Sequence, residues 1–352
     1  MDKEKIDRGK VLPKTVVLKF PSSTRILNID IRVWIWIIIG LFIGLSIKVL
    51  FFSNDHFVVQ QPPLLYLDPS RLILAHTNLM SDEMEISSLR MEAREIPATY
   101  NLWTQSPNAA LKLSSFVLNQ GPIGSCTANA MSYAWMLYKF KTWESSQAVI
   151  SPPSRLFWYA EARMHLNALD GNPSVALSDT GCYVSDVAWV PTIKGTVPET
   201  AYPYTYTLSR YGSVLNPNSG NVNKFPPPAI SAQAVQNLIP SSDIYPFYYS
   251  SNSSTTLQNM KRVLSDGRSI LLGILVYSSF QSSQSLKSGN IPMPNRNREA
   301  LLGGHCICLT GYDTACFLFR NSWGTGVGVR GAFRIPYAYI TNPNLCGDAW
   351  IF

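Results

Sequence analysis

The sequence predicts an α+β molecule with two lobes, one helical and one built on an antiparallel sheet, preceded by an N-terminal transmembrane helix. Three observations carry this expectation. Apolar residues recur at helical spacing in the first half of the folded region, and give way past Leu257 to short apolar runs bounded by glycine and polar residues. A chain of 352 residues that is 46% hydrophobic and only 14% charged has enough apolar material for one large domain or two half-domains sharing a cleft, and its composition is not that of a disordered chain. The third observation is IRVWIWIIIGLFIGLSIKVLFF at residues 31–52, uncharged from Val33 to Ile47. As a helix it is long enough to cross a hydrocarbon core of about 30 Å.

Arg32 and Lys48 sit where their side chains can snorkel at the two ends of that span. The competing readings are a cleaved signal peptide and a buried core helix. A signal peptide has an apolar part of only about 7–15 residues followed by small residues at a cleavage site, whereas FFSNDHF follows here. Residues 1–32 hold eight Lys/Arg (Lys3, Lys5, Arg8, Lys10, Lys14, Lys19, Arg25, Arg32) against Asp2, Glu4, Asp7 and Asp30, so +4 of the net charge of +7 lies in the first tenth of the chain. The excess is local and is not the footprint of a nucleic-acid surface. Almost no basic residue follows until Arg71, so residues 1–30 are expected to form a cytoplasmic tail, with the bulk of the chain lumenal or external and the lipid bilayer met through residues 31–52. Residues 53–95, with a proline pair at Pro62 and Pro63 and the acidic, potentially helical SDEMEISSLRMEARE, read as a stalk or entry segment.

The folded region is expected over residues 96–352. A helix is expected from Cys126 to Lys141, because Ala130, Met131, Ala134, Leu137 and Tyr138 recur on one face, a stripe that reads as core packing. A second is expected in SPPSRLFWYAEARMHL, with Ser151 and Pro152 as its start, Arg163 helping to close it and His165 on its surface. Residues 203–255, crowded with Pro, Ser, Asn and Tyr, read as long loops that include FPPPA and the sequon at Asn252. Then come the strands SILLGILVY, GGHCICLTGY and CFLFRNSWG.

Chemistry is signalled first by NQGPIGSCTANA. Its cysteine opens a helix, where unpartnered N–H groups and the positive dipole end push a thiol toward thiolate, so Cys126 is a candidate nucleophile. A nucleophile on the helical lobe needs its base on the other lobe. Of four histidines, His56 abuts the apolar span, His76 lies in the stalk and His165 in the second helix, which leaves His305. If GHCICLTGYDTACFLFRN is a hairpin turning at Asp313, position 305 pairs with 321 and Asn321 faces His305. Ile307 and Leu309 then share a face with His305, and Phe317 and Phe319 with Asn321, as an apolar floor. An amide oxygen on one imidazole nitrogen fixes the ring and its tautomer and leaves the other nitrogen to exchange a proton with a thiol. Taken alone, the pair reads sooner as a core histidine and a turn asparagine.

NQGPIGSC, GGHCICLTGY and RNSWGTGVGVRGAF occur in this order, and together they resemble the papain-like cysteine peptidases from about residue 96 to the C-terminus. The resemblance implies a two-lobe peptidase fold acting on polypeptide substrates without a cofactor. It implies that Cys126 is the nucleophile, His305 its proton partner and Asn321 the group that orients the histidine. It also implies that the side-chain amide of Gln120 and the Cys126 backbone N–H hold the oxyanion, and that Trp323 covers the histidine–asparagine contact. SPPSRLFWYAEAR and SDTGCYVSDVAWVPTIKGTVPETAYPY further resemble a subgroup found in bacteria and large DNA viruses, in which the second stretch packs beside the cleft. Asp179 and Gly181 there read either as groove lining or as turn residues.

Departures from the family pattern are also visible. Many relatives have a cysteine three residues before the nucleophile and an aromatic after it, whereas Ile123 and Thr127 stand here, so Cys182 lacks an obvious disulfide partner. Cys306 and Cys308 alternate with Ile307 as small apolar strand residues, and no second histidine accompanies them, so no metal site is expected. From a different functional class comes the alternative of a catalytically silent, membrane-tethered scaffold that keeps the cleft and holds peptides.

Overall fold

The computed structural model describes residues 95–105, 116–142, 151–207 and 220–352. The expected basic tail, apolar span and stalk, with His56 and His76, lie outside the described residues apart from Glu95 at the stalk's end. Among the described residues no helix is long and apolar enough to cross a membrane.

Seven strands form one antiparallel sheet: β1 (Tyr100–Asn101), β2 (Tyr245–Phe247), β3 (Ile270–Tyr277), β4 (Leu301–Tyr312), β5 (Cys316–Arg320), β6 (Ala332–Pro336) and β7 (Cys346–Ile351). Their order is β2-β7-β3-β4-β5-β6, with β1 added to the far end of β4 through Tyr100 opposite Tyr312. All eight residues of β3 are buried, as is β4 from Gly303 onward. Covered faces on both sides remove the apolar/polar alternation, which explains why these strands read as continuous apolar runs.

Five helices matter for the site: α1 (Cys126–Thr142), α2 (Arg155–Leu169), α3 (Val184–Ala188), α4 (Pro228–Ala234) and α5 (Ser253–Ser265). The expected span of α1 agrees, but its burial is wider than a single stripe. Every residue from Cys126 to Leu137 is buried, including Thr127, Asn129, Ser132 and Tyr133. Three of these polar members, Thr127, Asn129 and Tyr133, find partners inside the protein, and Tyr133 does this most visibly. Its hydroxyl accepts the Leu118 N–H at 2.7 Å and donates to the Asn321 carbonyl at 3.2 Å.

Three local expectations are corrected. Helix α2 starts after Ser154, whose Oγ accepts the Phe157 N–H at 3.1 Å, and not at Ser151. Arg163 does not close that helix. It is buried within it, and its guanidinium lies 3.7 Å from the Tyr159 ring centroid and donates to the carbonyls of Tyr159, Ser178 and Val222. His165, half-buried, packs against Trp189 with ring centroids 4.5 Å apart and planes inclined by 60°. Within 203–255 the described part is not all loop. FPPPA leads into α4, whose first residue is proline, β2 pairs with β7, and Asn252 caps α5 by accepting the Ser254 N–H at 2.8 Å. The sequon thus sits at a helix start.

The β4–β5 hairpin also departs from the predicted register. Cys308 pairs with Arg320 and Leu309 with Phe319, then a bulge intervenes and Tyr312 pairs with Phe317. The turn is longer than a pivot at Asp313, whose Oδ1 accepts the N–H groups of Ala315 and Cys316. His305 and Asn321 are consequently not ladder partners, because the ladder ends at Cys308 and Arg320 with Asn321 just beyond it. A two-residue slip preserves facing, since strand side chains alternate with period two.

The close packing of β3 sets an expected cost for disturbing the fold. Replacing the fully buried Leu271 by alanine should lower unfolding free energy by roughly 2–5 kcal/mol in a denaturant titration. Leu169→Ala, at a side chain 68% exposed, should change it by no more than about 0.5 kcal/mol.

Candidate active site

Residues 119–125 form the loop that feeds α1, and almost every polar atom of Gln120 in it is engaged. Its backbone N–H donates to the Ser322 carbonyl at 2.8 Å and its Oε1 accepts the Ser322 hydroxyl at 2.5 Å. Its carbonyl accepts the Tyr204 hydroxyl at 2.9 Å, and its Nε2 donates to the Ile123 carbonyl at 2.8 Å. The next residue must be glycine. Gly121 has φ of 59°, and a Cβ there would stand 2.3 Å from the Tyr206 hydroxyl. Arg155 ties the same loop to α2, donating to the Asn119 carbonyl at 3.2 Å and to Asn129 Oδ1 at 2.8 Å while pairing with Glu199 at 2.9 Å.

On the sheet side, His305 Nε2 and Asn321 Oδ1 are 2.9 Å apart. The Ser322 N–H donates to the same oxygen at 2.8 Å, which settles which end of the amide faces the ring. Nε2 is then the protonated nitrogen, and Nδ1 is left as a bare acceptor. That Nδ1 is buried and has no hydrogen-bond partner, as are Asn321 Nδ2 and Trp323 Nε1. Buried polar atoms are usually paired, so three orphans around one imidazole mark a site built for something other than stability. Trp323 lies over His305, with centroids 5.1 Å apart and planes inclined by 30°. Phe280 and Phe333 meet the Trp323 ring edge to face, and Phe319, one of the residues expected in an apolar floor, stacks on Phe333.

Cys126, 3% exposed, lies against the same strand, with the Cys306 N–H directed at its sulfur. The loop and the strand thus bring Gln120, Cys126, His305, Asn321 and Trp323 into one buried region. Its electrostatics differ from the expectation of a thiolate. Burial pushes the Cys126 thiol up to about 11, against the N–H groups of Cys306, Thr127 and Cys126, which favour the anion. Burial also pulls His305 down to about 4, opposed by its bond to Asn321. Desolvation of a fully buried group outweighs a few oriented N–H dipoles, so burial works against the charged form of each group.

The stretch from Ser178 to Cys182 packs beside the loop, as expected. Asp179 accepts the Gly124 N–H at 3.0 Å and the Tyr159 hydroxyl at 2.7 Å, and Cys182 Sγ lies 2.9 Å from Thr127 Oγ1. All six cysteines are free thiols. Cys306 and Cys308 are buried in β4, in keeping with small apolar strand residues. Among the described residues no group of His, Cys, Asp and Glu is arranged to hold a metal. A surface hollow of about 710 Å³ lined by Tyr277 and Met293–Asn297 contains none of the site residues. The bracing roles of Tyr133, Arg155, Tyr204 and Ser322 were not anticipated, because a tyrosine or arginine in an apolar helix carries no local sign of its distant partner.

No protein-family model matches the chain. An uncharacterized peptidase C1-like protein of Acanthamoeba polyphaga mimivirus is 31% identical over 242 residues, covering 66% of this chain and 68% of that protein. Among solved structures, xylellain, a cysteine protease from Xylella fastidiosa, aligns with a TM-score of 0.60 and 26% identity, covering 83% of this chain and 96% of that one. Digestive procathepsin L 3 of Tenebrio molitor shares the fold at a TM-score of 0.50 and 16% identity, over 80% and 78% of the two chains. A large DNA virus and a bacterium are the sources that the SPPSRLFWYAEAR and SDTGCYVSDVAW stretches suggested.

The two shifted groups give stability a pH dependence of definite sign. With His305 held near 4 in the fold against an ordinary 6.5, unfolding takes up a proton between those values, so stability is complete above pH 6.5 and is lost as pH falls toward 4. Cys126, held near 11 against 9.0, contributes stability that is complete below pH 9.0 and is lost as pH rises toward 11. Calorimetric melting across this range should show a shallower acid-side decline for His305→Gln than for wild type, and a shallower alkaline-side decline for Cys126→Ala.

Proposed function

The chain belongs to the papain-like cysteine peptidases, and from that premise we propose that Cys126, His305 and Asn321 form its catalytic triad, with Gln120 as oxyanion donor and Trp323 as the cover of the histidine–asparagine contact. The observation that carries this reading is the His305 Nε2 bond to Asn321 at 2.9 Å, which leaves Nδ1 unpartnered on the strand that the Cys126 sulfur faces. In the proposed reaction the thiol proton passes to Nδ1 and the sulfur attacks a peptide carbonyl of a polypeptide substrate. The carbonyl oxygen takes up the negative charge and is held by the remaining Gln120 Nε2–H and the Cys126 N–H. The imidazolium protonates the departing amine, and water hydrolyses the thioester to release the second product. Because burial works against both charged forms, charge is created only as the bond forms, in a dry site where an oxyanion and an imidazolium attract strongly.

The same burial favours one alternative, a silent scaffold that binds peptides without turning them over. Membrane attachment is the second part of the proposal. Residues 31–52 would act as an uncleaved signal anchor, with 1–30 cytoplasmic and the peptidase domain, 96–352, presented lumenally or externally on the stalk 53–95. What supports it is the length of the apolar run and the basic residues before it.

Wild-type protein should hydrolyse members of a peptide library and be labelled at Cys126 by a thiol-reactive epoxide. Cys126→Ala should abolish both with circular dichroism unchanged, and Gln120→Ala should lower kcat by about 10²–10³-fold. Folded wild type that is neither labelled nor active would leave only the scaffold.

A further inference from the structure

The peptide unit joining Ile123 to Gly124 is gripped on both sides. Its carbonyl accepts Gln120 Nε2–H at 2.8 Å, and its N–H donates to Asp179, at 3.0 Å from Oδ1 and 3.2 Å from Oδ2. Asp179 is itself fixed. The Tyr159 hydroxyl donates to Oδ1 at 2.7 Å while accepting the Gly181 N–H at 2.9 Å. Behind it the Arg163 guanidinium lies 3.7 Å from the Tyr159 ring centroid, with Nε donating to the Tyr159 carbonyl at 3.0 Å. An unbroken series of contacts therefore runs from Arg163 through Tyr159 and Asp179 to the 123–124 peptide, and on to the side-chain amide of Gln120.

A carboxylate in such a place is costly to desolvate, and an apolar side chain would fill the space more cheaply. What the carboxylate adds is direction and polarisation. An anion accepting a peptide N–H draws electron density toward the carbonyl oxygen of the same unit and strengthens the bond that oxygen accepts. Here that bond comes from Gln120 Nε2, and it fixes the rotation of the amide. With Oε1 held by Ser322 and one Nε2–H held by Ile123, the second Nε2–H has a single direction left.

We propose that Asp179 is a positioning residue for peptide hydrolysis, acting through the 123–124 peptide to aim the Gln120 amide at the oxyanion. The proposal rests on the reading of Gln120 as oxyanion donor. Asp179 touches no reacting atom and its charge works against ionisation of the Cys126 thiol, so what it can add to the rate is geometric, and misplacing a donor is expensive in rate.

The test compares two reactions of the same sulfur. Peptide hydrolysis passes through an oxyanion. Alkylation by iodoacetamide does not, because the sulfur forms a bond to the methylene carbon as iodide leaves. Asp179→Asn keeps the shape but replaces one acceptor oxygen by a donor. It should lower kcat about tenfold, the equivalent of about 1.4 kcal/mol for a weakened charged hydrogen bond, with KM little changed. The iodoacetamide rate at Cys126 should not fall below that of wild type, since losing the Asp179 charge eases ionisation of the thiol. If Asp179 acts through Gln120, the double variant Asp179→Asn/Gln120→Ala should have the kcat of Gln120→Ala alone. Should Asp179→Asn not fold, Tyr159→Phe removes one donor to the carboxylate, keeps the ring beside Arg163, and should show a smaller loss of the same kind.

An active wild type with an unaffected Asp179→Asn would overturn this inference alone. So would parallel falls in hydrolysis and alkylation, or losses that add in the double variant. An active wild type indifferent to Gln120→Ala would remove the donor assignment and the inference with it. A folded wild type without turnover would sink the catalytic reading itself.

Discussion

Gln120 is held by both halves of the molecule at once, and the geometry of the site depends on that. Its main chain and side chain both bond to Ser322, 202 positions later in the sequence, and its carbonyl receives Tyr204. Ser322 follows Asn321, so the loop that launches α1 and the segment that orients His305 are fixed to one another. Tyr133 repeats the tie one layer deeper, between Leu118 and the Asn321 carbonyl. Contacts this distant in sequence carry a closure entropy and must be met by cooperative packing, which Cys126–Leu137 of α1 and β4 from Gly303 onward supply.

The second theme is a contest between burial and polarity. A thiol at a helix start feels a partial positive charge of about half an elementary unit, a favourable effect of up to ~2 kcal/mol in a partly buried setting. Removal from water acts in the opposite direction and is larger for a fully buried group. The outcome is a thiol at Cys126 and an imidazole at His305 whose charged forms burial disfavours. His305 Nδ1, Asn321 Nδ2 and Trp323 Nε1 lie buried and without partners in the same region.

How much of this was legible in the sequence follows from the range of each interaction. The order of helices and strands, the burial of Cys306 and Cys308, and the nearness of His305 to Asn321 could be read because period and motif are local or carry a family signature. The hairpin register was misread because the bulge near Leu309 and the Asx turn at Asp313 add residues that no alternation pattern reports. Helix α2 was started too early because Ser151 and Ser154 offer the same cap, and only packing chooses between them. Arg163 looked like a helix-end cation because Ser178 and Val222, its partners, are far along the chain. Asp179 could be placed at the groove but not given a partner, since the N–H it accepts belongs to a glycine 55 positions away.

That link between Asp179 and Gly124 joins two walls of the cleft near the place where many relatives carry a cysteine, and the chain joins them with an acid and an amide while every thiol stays reduced. Such a joint forms as soon as the chain folds and needs no electron acceptor. The domain's finished shape therefore does not wait on any thiol oxidation, and a reducing agent has no bridge in it to cut.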